Sequence, residues 1–175
     1  MFVSNNNYGS SNTVSVIDPS QDKQIKKITL AAGPAGLVLD ANDKLWVIAN
    51  GTYAGNDGVL YRINPTTFEV EQTIELGANP GNSLVISPDK KTLYYSVNNS
   101  VYKIGIEATT VPSNAWINNS DIVSLSWLGV ANSGEVYVGD ALDFASPGKV
   151  YIYNSDGSPN TSIASGVDPI QFIFR

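Results

Sequence analysis

The sequence contains no cysteine and no histidine. Without cysteine, disulfide bonds and thiolate chemistry are excluded. Without histidine, the most common general base and a leading ligand of transition metals are missing. We therefore expect a protein that is not an enzyme, and we predict no catalytic residue, no metal site and no cofactor.

Charged residues are also scarce, at 15% of the 175 residues, and the net charge is −6. This acidic balance argues against binding to nucleic acid or to an anionic membrane surface, because both need a basic field. No apolar run approaches the ~18 residues of a membrane span. Met1–Ser4 shows neither the charged nor the apolar region of a signal peptide and reads as part of a strand.

What the sequence does contain is a unit of four strands at Ala32–Leu76. The predicted strands are Leu37–Leu39, Leu45–Asn50, Val59–Ile63 and Glu69–Leu76. Turn residues such as Gly33-Pro34 and Asn64-Pro65 separate them. A lone four-stranded sheet cannot bury both of its faces, so this unit predicts similar neighbours.

The unit recurs along the chain. First strands open after Pro34, Pro80 and Pro169, and second strands end at Asn5, Asn50, Asn98 and Asp140. A period of roughly 40–45 residues with four strands per repeat is typical of a β-propeller, an all-β repeat protein built of antiparallel blades. The alternative is a β-sandwich with similar hairpins, which would not repeat strand for strand.

We predict one β-propeller domain over residues 1–175, with about four blades. Three blades are whole, at 32–76, 77–117 and 120–165, and the fourth is split between residues 1–30 and 167–175. Pro112–Ile117 is the best candidate for the outer strand of the blade at 77–117. The chain then reads either as a closed four-bladed ring or as a piece of a larger propeller, with a homodimer or separate missing blades completing it.

The residues Phe2-Val3-Ser4-Asn5 and Val14-Ser15-Val16-Ile17-Asp18 carry a family resemblance. They resemble the YVTN repeat of YncE-like β-propellers, and closest in style are Bacteroidetes cell-surface propellers. Some of those capture corrinoids and pass them to a TonB-dependent outer-membrane transporter. The resemblance implies a cell-envelope location (periplasm or outer cell surface), a corrinoid or another large small-molecule ligand, and such a transporter as partner.

Long loops are predicted on one face of the blades, at Asn6–Asn12, Gly51–Gly58 and Ala141–Gly148. Loops on a rigid scaffold commonly carry binding residues. Their aromatic rings, amides and carboxylates suit a large ligand with polar edges. The predicted ligand-binding residues are Asn5, Asn7, Tyr8, Asn50, Tyr53, Asn56, Asp57, Asn79, Asp140, Asp143 and Phe144.

Two other functions stay open. The same loops would also serve a scaffold for protein–protein interaction. A hydrolase or lyase that uses aspartates such as Asp140 and Asp143 is the less favoured reading, because no spatial pair of acids can be inferred. These aspartates, with Asp57 or Asn56, offer oxygen ligands for Ca²⁺, but the sequence lacks a dense calcium-loop motif.

Overall fold

A computed structural model describes residues 1–52, 57–77 and 80–175. The described chain consists of β-strands and one short 3-10 helix at Asn7–Gly9. The strands are β1 (Phe2–Asn5), β2 (Thr13–Asp18), β3 (Lys23–Thr29), β4 (Pro34–Leu39), β5 (Leu45–Ala49), β6 (Gly58–Ile63), β7 (Val70–Gly77), β8 (Pro80–Ile86), β9 (Thr92–Val97), β10 (Ser100–Gly105), β11 (Leu125–Val130), β12 (Val136–Asp140), β13 (Lys149–Tyr153) and β14 (Pro159–Ala164). Within these described ranges, no helix has the length and apolarity needed to cross a membrane.

The strands form four antiparallel sheets in which neighbours in sequence are neighbours in space. We name them blade 1 (β1-β2-β3), blade 2 (β4-β5-β6-β7), blade 3 (β8-β9-β10) and blade 4 (β11-β12-β13-β14). This repeated meander is the architecture of propeller blades and matches the all-β repeat predicted from the sequence. The second strands end at or next to the predicted positions Asn5, Asn50, Asn98 and Asp140.

The chain divides into two compact units. Unit 1 comprises Met1–Pro80 with Thr109–Val111, and unit 2 comprises Gly81–Ala108 with Pro112–Arg175. Blades 1 and 2 therefore belong to unit 1, and blade 4 with nearly all of blade 3 belongs to unit 2.

The core of unit 1 lies between blades 1 and 2. Its buried cluster consists of Val14, Val16, Ile28, Leu45, Val47 and Ile63. Every residue of β5 is buried, which explains why its sequence is a continuous apolar run instead of an alternating one. By contrast, the outer strand β3 is exposed along most of its length and carries three lysines, which discourage pairing with another edge.

The core of unit 2 is richer in aromatic rings. Its buried cluster consists of Tyr94, Val101, Ile117, Ile122, Leu128, Val136, Val138, Tyr151 and Tyr153. Blades 3 and 4 are also joined by polar contacts, since the Leu128 amide donates to the buried Ser83 hydroxyl at 3.1 Å.

The predicted outer strand of blade 3 at Pro112–Ile117 is largely wrong. Only a single bridge forms there, between Val101 and Ile117. The Val101 amide donates to the Ile117 carbonyl at 2.9 Å, and the Trp116 amide donates to the Val101 carbonyl at 2.8 Å. The chain then continues as an irregular segment up to β11, so the described part of blade 3 has three strands.

The predicted strand at the carboxy terminus is also wrong, because none of residues 167–175 is in a strand. The tail instead packs on blade 4. The Ser126 hydroxyl donates to the Pro169 carbonyl at 2.6 Å, and the rings of Phe172 and Phe174 lie 5.9 and 5.0 Å from that of Tyr137. Blade 1 correspondingly has three strands in the described chain, and the fourth strand expected from the tail is not formed.

Candidate functional site

The loop between β1 and β2 holds a tyrosine out into solvent. Asn6 caps the short 3-10 helix, since its Oδ1 accepts from the Gly9 amide at 3.1 Å. Asn7 and Tyr8 follow with φ of 46° and 53°. Residues other than glycine pay about 1–2 kcal/mol for this left-handed backbone. The Tyr8 side chain is 93% exposed, so the cost is not offset by burial of the ring.

This loop is tied to the neighbouring blade 2 of the same unit. The side-chain nitrogen Nδ2 of Asn6 donates to Oδ1 of Asn50 at 3.2 Å. The Gly33 amide donates to the Ser11 carbonyl at 2.8 Å, and the Asn50 amide donates to the Gly33 carbonyl at 2.9 Å. Gly33 has φ of 72°, and a Cβ atom there would collide with the Asn50 side chain. We name this arrangement of loop 6–12, Gly33 and Asn50 the loop cluster.

Two further predicted residues border the loop cluster in sequence. Asn5 uses its amide nitrogen inside blade 1, where it donates at 3.0 Å to the hydroxyls of Thr13 and Ser15. Asp57 closes the following loop, since its Oδ1 accepts from the Thr52 amide at 3.2 Å. Both side chains therefore have structural partners, and their contact with a ligand stays a prediction. Tyr53, Asn56 and Asn79 lie outside the described residues.

In unit 2, Asp140 has a structural role that the sequence did not reveal. Its side chain is fully buried at the end of β12. Oδ1 accepts from the amides of Ser124 at 2.8 Å and Leu142 at 3.1 Å, and Oδ2 accepts from that of Val123 at 3.2 Å. The carboxylate therefore holds two chain segments together instead of facing solvent.

Asp143 and Phe144 shape the exposed part of the loop after β12. Oδ1 of Asp143 accepts from the amides of Ala145 at 3.0 Å and Ser146 at 2.7 Å. These backbone hydrogen bonds, Ser146 first, hold the pKa of Asp143 below its ordinary value. Phe144 has φ of 60° and is 62% exposed. Like Tyr8, it is an aromatic side chain presented from a left-handed backbone.

A groove in unit 2 was missed by the sequence reasoning. It has a volume of about 640 Å³ and lies between the irregular segment Trp116–Asp121 and strands β13–β14. The signal in the sequence was the poorly marked outer strand of blade 3, because Trp116-Ile117 is followed by the polar residues Asn118, Asn119 and Ser120 and not by a continuing strand pattern. Of the predicted binding residues that the structure describes, none lines this groove.

No metal centre emerges from the described ranges, which contain no group of three or more acidic side chains placed to hold an ion. Both oxygen atoms of Asp140 and Oδ1 of Asp143 accept from backbone amides, as above, and Oδ2 of Asp143 accepts from the Ser146 hydroxyl at 2.9 Å. The arrangement of the loop cluster and of the groove suits non-covalent binding, since both combine aromatic rings with amide and hydroxyl groups.

Comparison with known proteins gives a family and a fold. The family model described as "Domain of unknown function (DUF5074)" matches residues 3–165. No curated protein matches the chain. Among solved structures, the chain is similar to the hydrazine synthase of Kuenenia stuttgartiensis, with a TM-score of 0.72 and 14% identity over 94% of this chain and 46% of that one.

The chain is also similar to a quinoprotein alcohol dehydrogenase-like protein of Bacteroides thetaiotaomicron, with a TM-score of 0.75 and 17% identity over 94% of this chain and 43% of that one. At such identities the likeness concerns the fold alone, and it agrees with the propeller blades described above. The chain spans less than half of the length of either structure.

Proposed function

The chain belongs to the DUF5074 family, and we propose that it is a non-enzymatic binding module that captures a large, flat ligand with polar edges. A corrinoid is the first candidate, following the resemblance to corrinoid-capturing surface propellers. The proposal places the protein in the cell envelope, with a TonB-dependent outer-membrane transporter as the partner that receives the ligand.

One observation carries the proposal, namely the exposed Tyr8 on a loop that is already ordered. The backbone at Asn7 and Tyr8 is left-handed, and Asn6 holds it by bonds to Gly9 and Asn50. Strained, non-glycine conformations of this kind cluster at ligand clamps. A ring held in advance loses little conformational freedom on binding, which favours affinity.

The chemistry of the loop cluster fits a macrocycle with amide edges. An exposed phenol ring offers a flat apolar surface with a polar tip. Asparagine side chains donate and accept at the same time, so the exposed Asn7 matches the mixed donors and acceptors of side-chain amides on such a ligand. Phe144 of unit 2 is also an exposed ring, and its contact with a ligand is a separate prediction.

A titration with cyanocobalamin tests the proposal. We expect micromolar or tighter binding, seen as tryptophan quenching and as heat in calorimetry. Tyr8→Ala should weaken binding at least about tenfold, which corresponds to 1.4 kcal/mol. Ile25→Ala is the matched control, since it removes an apolar side chain that is 55% exposed on the outer strand β3 and away from the loops.

Two results would contradict the proposal. One is the absence of heat and quenching at micromolar cyanocobalamin with a folded protein. The other is unchanged affinity in Tyr8→Ala, which would remove the loop cluster from the binding site. The scaffold alternative rests on the same exposed tyrosine, because tyrosine is enriched in protein–protein hot spots. It would be favoured if Tyr8→Ala abolished transporter binding in the absence of any corrinoid.

A further inference from the structure

The groove of unit 2 is a feature that the proposed function does not use. It lies between the segment Trp116–Asp121 and the strands β13 and β14, and its volume of about 640 Å³ falls within the range of about 300–1,000 Å³ of small-molecule sites. Tyr8, Asp143 and Phe144, which are loop residues that the structure describes, do not line it.

The groove exists because blade 3 lacks a regular outer strand. In blades 2 and 4, a full fourth strand, β7 or β14, covers the third strand of the same sheet. In blade 3, the residues after Pro112 form one bridge with β10, between Ile117 and Val101. Side chains of this segment also contact β10, namely those of Trp116 with Lys103 and of Asn118 with Ser100. The following residues depart from the sheet and face β13 and β14 of the next blade, which leaves the space open.

The walls of the groove are fixed by hydrogen bonds. The side-chain nitrogen of Asn119 donates to the Tyr153 hydroxyl at 2.9 Å, and the Tyr151 hydroxyl donates to the Asp121 carbonyl at 3.1 Å. Oδ1 of Asn119 accepts from the Asp121 amide at 3.0 Å. These bonds join the irregular segment to β13, so the groove is preformed.

Trp116 is also held in place. Its ring lies 5.4 Å from that of Tyr94 and 4.2 Å from Nζ of Lys103. Gly157 approaches the indole so closely that a Cβ atom there would lie 2.8 Å from it. A glycine at φ of 92° in this turn therefore lets the β13–β14 hairpin close against the tryptophan.

The lining is aromatic and polar but nearly uncharged. Its rings are those of Trp116, Tyr151 and Tyr153. Its hydrogen-bonding side chains are Asn118, Asn119, Ser120, Asn160, Thr161 and Ser162. Among the described residues that line it, Asp121 is the one charged side chain, and none is lysine or arginine.

This composition selects a class of ligand. A phosphorylated or sulfated ligand would need cationic partners, and an acyl chain would cover the hydroxyl groups of Ser120, Thr161 and Ser162 without offering them hydrogen bonds. Hydroxyl groups that both donate and accept, here those of Ser120, Thr161 and Ser162, match the hydroxyl groups of a sugar. Tyr151 and Tyr153 are buried, at 8% and 3% exposed, so the apolar surface for the C–H groups of the sugar is that of the partly buried Trp116. We propose that this groove is a binding site for a neutral oligosaccharide.

The strand β14 forms the exposed side of the groove, and its composition supports a neutral ligand. It is exposed at every position and carries no charged residue. In contrast, β3 and β7 carry lysine or glutamate side chains of the kind that protect outer strands. An uncharged strand rich in hydroxyl and amide groups is suited to a neutral polar chain lying along it.

The test uses the whole chain and a panel of neutral hexasaccharides: maltohexaose, cellohexaose, laminarihexaose, xylohexaose and mannohexaose. Each is titrated at up to millimolar concentration by calorimetry, with an oligogalacturonate and a serine- and asparagine-rich peptide as comparison ligands. Ser162→Trp, which would fill the groove from β14, should weaken binding at least about tenfold. Ile163→Trp is the matched control, because Ile163 is next to Ser162 on the same strand and is 53% exposed but does not line the groove.

Binding of at least one neutral hexasaccharide that Ser162→Trp loses and Ile163→Trp keeps would support the site. The proposal is overturned if no hexasaccharide binds or if Ser162→Trp binds as the wild type does. It is also overturned if the charged oligomer or the peptide, and not a neutral hexasaccharide, is the ligand whose binding Ser162→Trp weakens. Asn160→Ala, which should weaken binding about threefold or more, decides the matter if Ser162→Trp does not fold. Cyanocobalamin titrations of the same variants distinguish failure of this proposal from failure of the proposed function. The affinity for cyanocobalamin should not change, because these variants do not alter the loop cluster.

Discussion

The indole nitrogen of Trp46 donates a 2.8 Å hydrogen bond to Oδ2 of Asp40, and both side chains are almost completely buried. Oδ1 of the same carboxylate accepts from the amides of Asn42 at 2.8 Å and Lys44 at 2.9 Å. A buried carboxylate is tolerated because three donors satisfy it. Asp40 therefore joins the β4–β5 turn to the core of blade 2.

The first prediction concerns this carboxylate. Asp40→Ala should lower the free energy of unfolding by about 2–4 kcal/mol, since it leaves the Trp46 nitrogen buried without its acceptor. Urea denaturation measures the change. Asp43→Asn in the same turn is the control and should stay within about 0.5 kcal/mol, because asparagine tolerates the left-handed φ of 57° found there. Equal effects of the two substitutions would contradict the role of Asp40.

The second prediction concerns Asp140. Asp140→Ala should destabilise the protein by about 2–4 kcal/mol, because three backbone amides would lose a buried acceptor. Phe144→Ala, four residues later, should change stability by less than about 0.5 kcal/mol, since its ring is 62% exposed. Denaturant unfolding separates the two. An unchanged free energy of unfolding in Asp140→Ala would show that this carboxylate does not hold the loop to residues 123–124.

The third prediction concerns pH. Backbone hydrogen bonds lower the pKa of Asp143 below its ordinary value of 3.8. A carboxylate whose folded pKa is depressed contributes stability above its unfolded pKa and loses it as the pH falls through the folded value. The stability difference between wild type and Asp143→Ala should therefore be constant above about pH 5 and shrink below pH 3.8.

Unfolding curves across this pH range test the dependence of stability on the protonation of Asp143. Asp143→Asn is included because it keeps an oxygen acceptor but does not titrate. For Asp143→Asn, the difference from wild type should also decrease in acid. A difference that grew as the pH fell would contradict the assigned direction.

The fourth prediction concerns the tail. Phe172 packs on blade 4, where a Cβ atom at Gly129 would lie 2.8 Å from the Phe172 Cβ, and its ring stacks with that of Phe174 at 6.5 Å. Phe172→Ala should cost about 1–3 kcal/mol, below the value for a fully buried ring. Ile173→Ala is the matched control with little effect, since Ile173 is 83% exposed. Thermal unfolding in which Ile173→Ala matched or exceeded Phe172→Ala would contradict the observed packing.

Much of the blade architecture could be predicted because its signals are local. Strands alternate with period two, and residues such as Asn98 and Pro34 mark where a strand ends or begins. The tail was misjudged because Ile170–Phe174 has the apolar character of a strand. The rings of Phe172 and Phe174 instead pack on Tyr137. No local sequence pattern predicts this contact.

The candidate site was less accessible to sequence reasoning. Tyr8 and Phe144 were identified as exposed loop aromatics, and the structure presents both from left-handed backbone. Asp140 was predicted as a loop carboxylate but is buried. Its burial could not be predicted, because its partners at Val123 and Ser124 lie far away in sequence. The groove escaped notice altogether, since it is formed by segments that are separate in the chain.

The amino-acid sequence by itself determined the strands, their turns and their repetition in blades, since hydrophobic alternation and turn chemistry act over a few neighbouring residues. Only the tertiary structure decided which polar side chains are buried acceptors, where the tail packs and where a groove opens. Those outcomes depend on contacts between distant segments, such as Asn119 with Tyr153, whose distance is set by the packing of one sheet on the next.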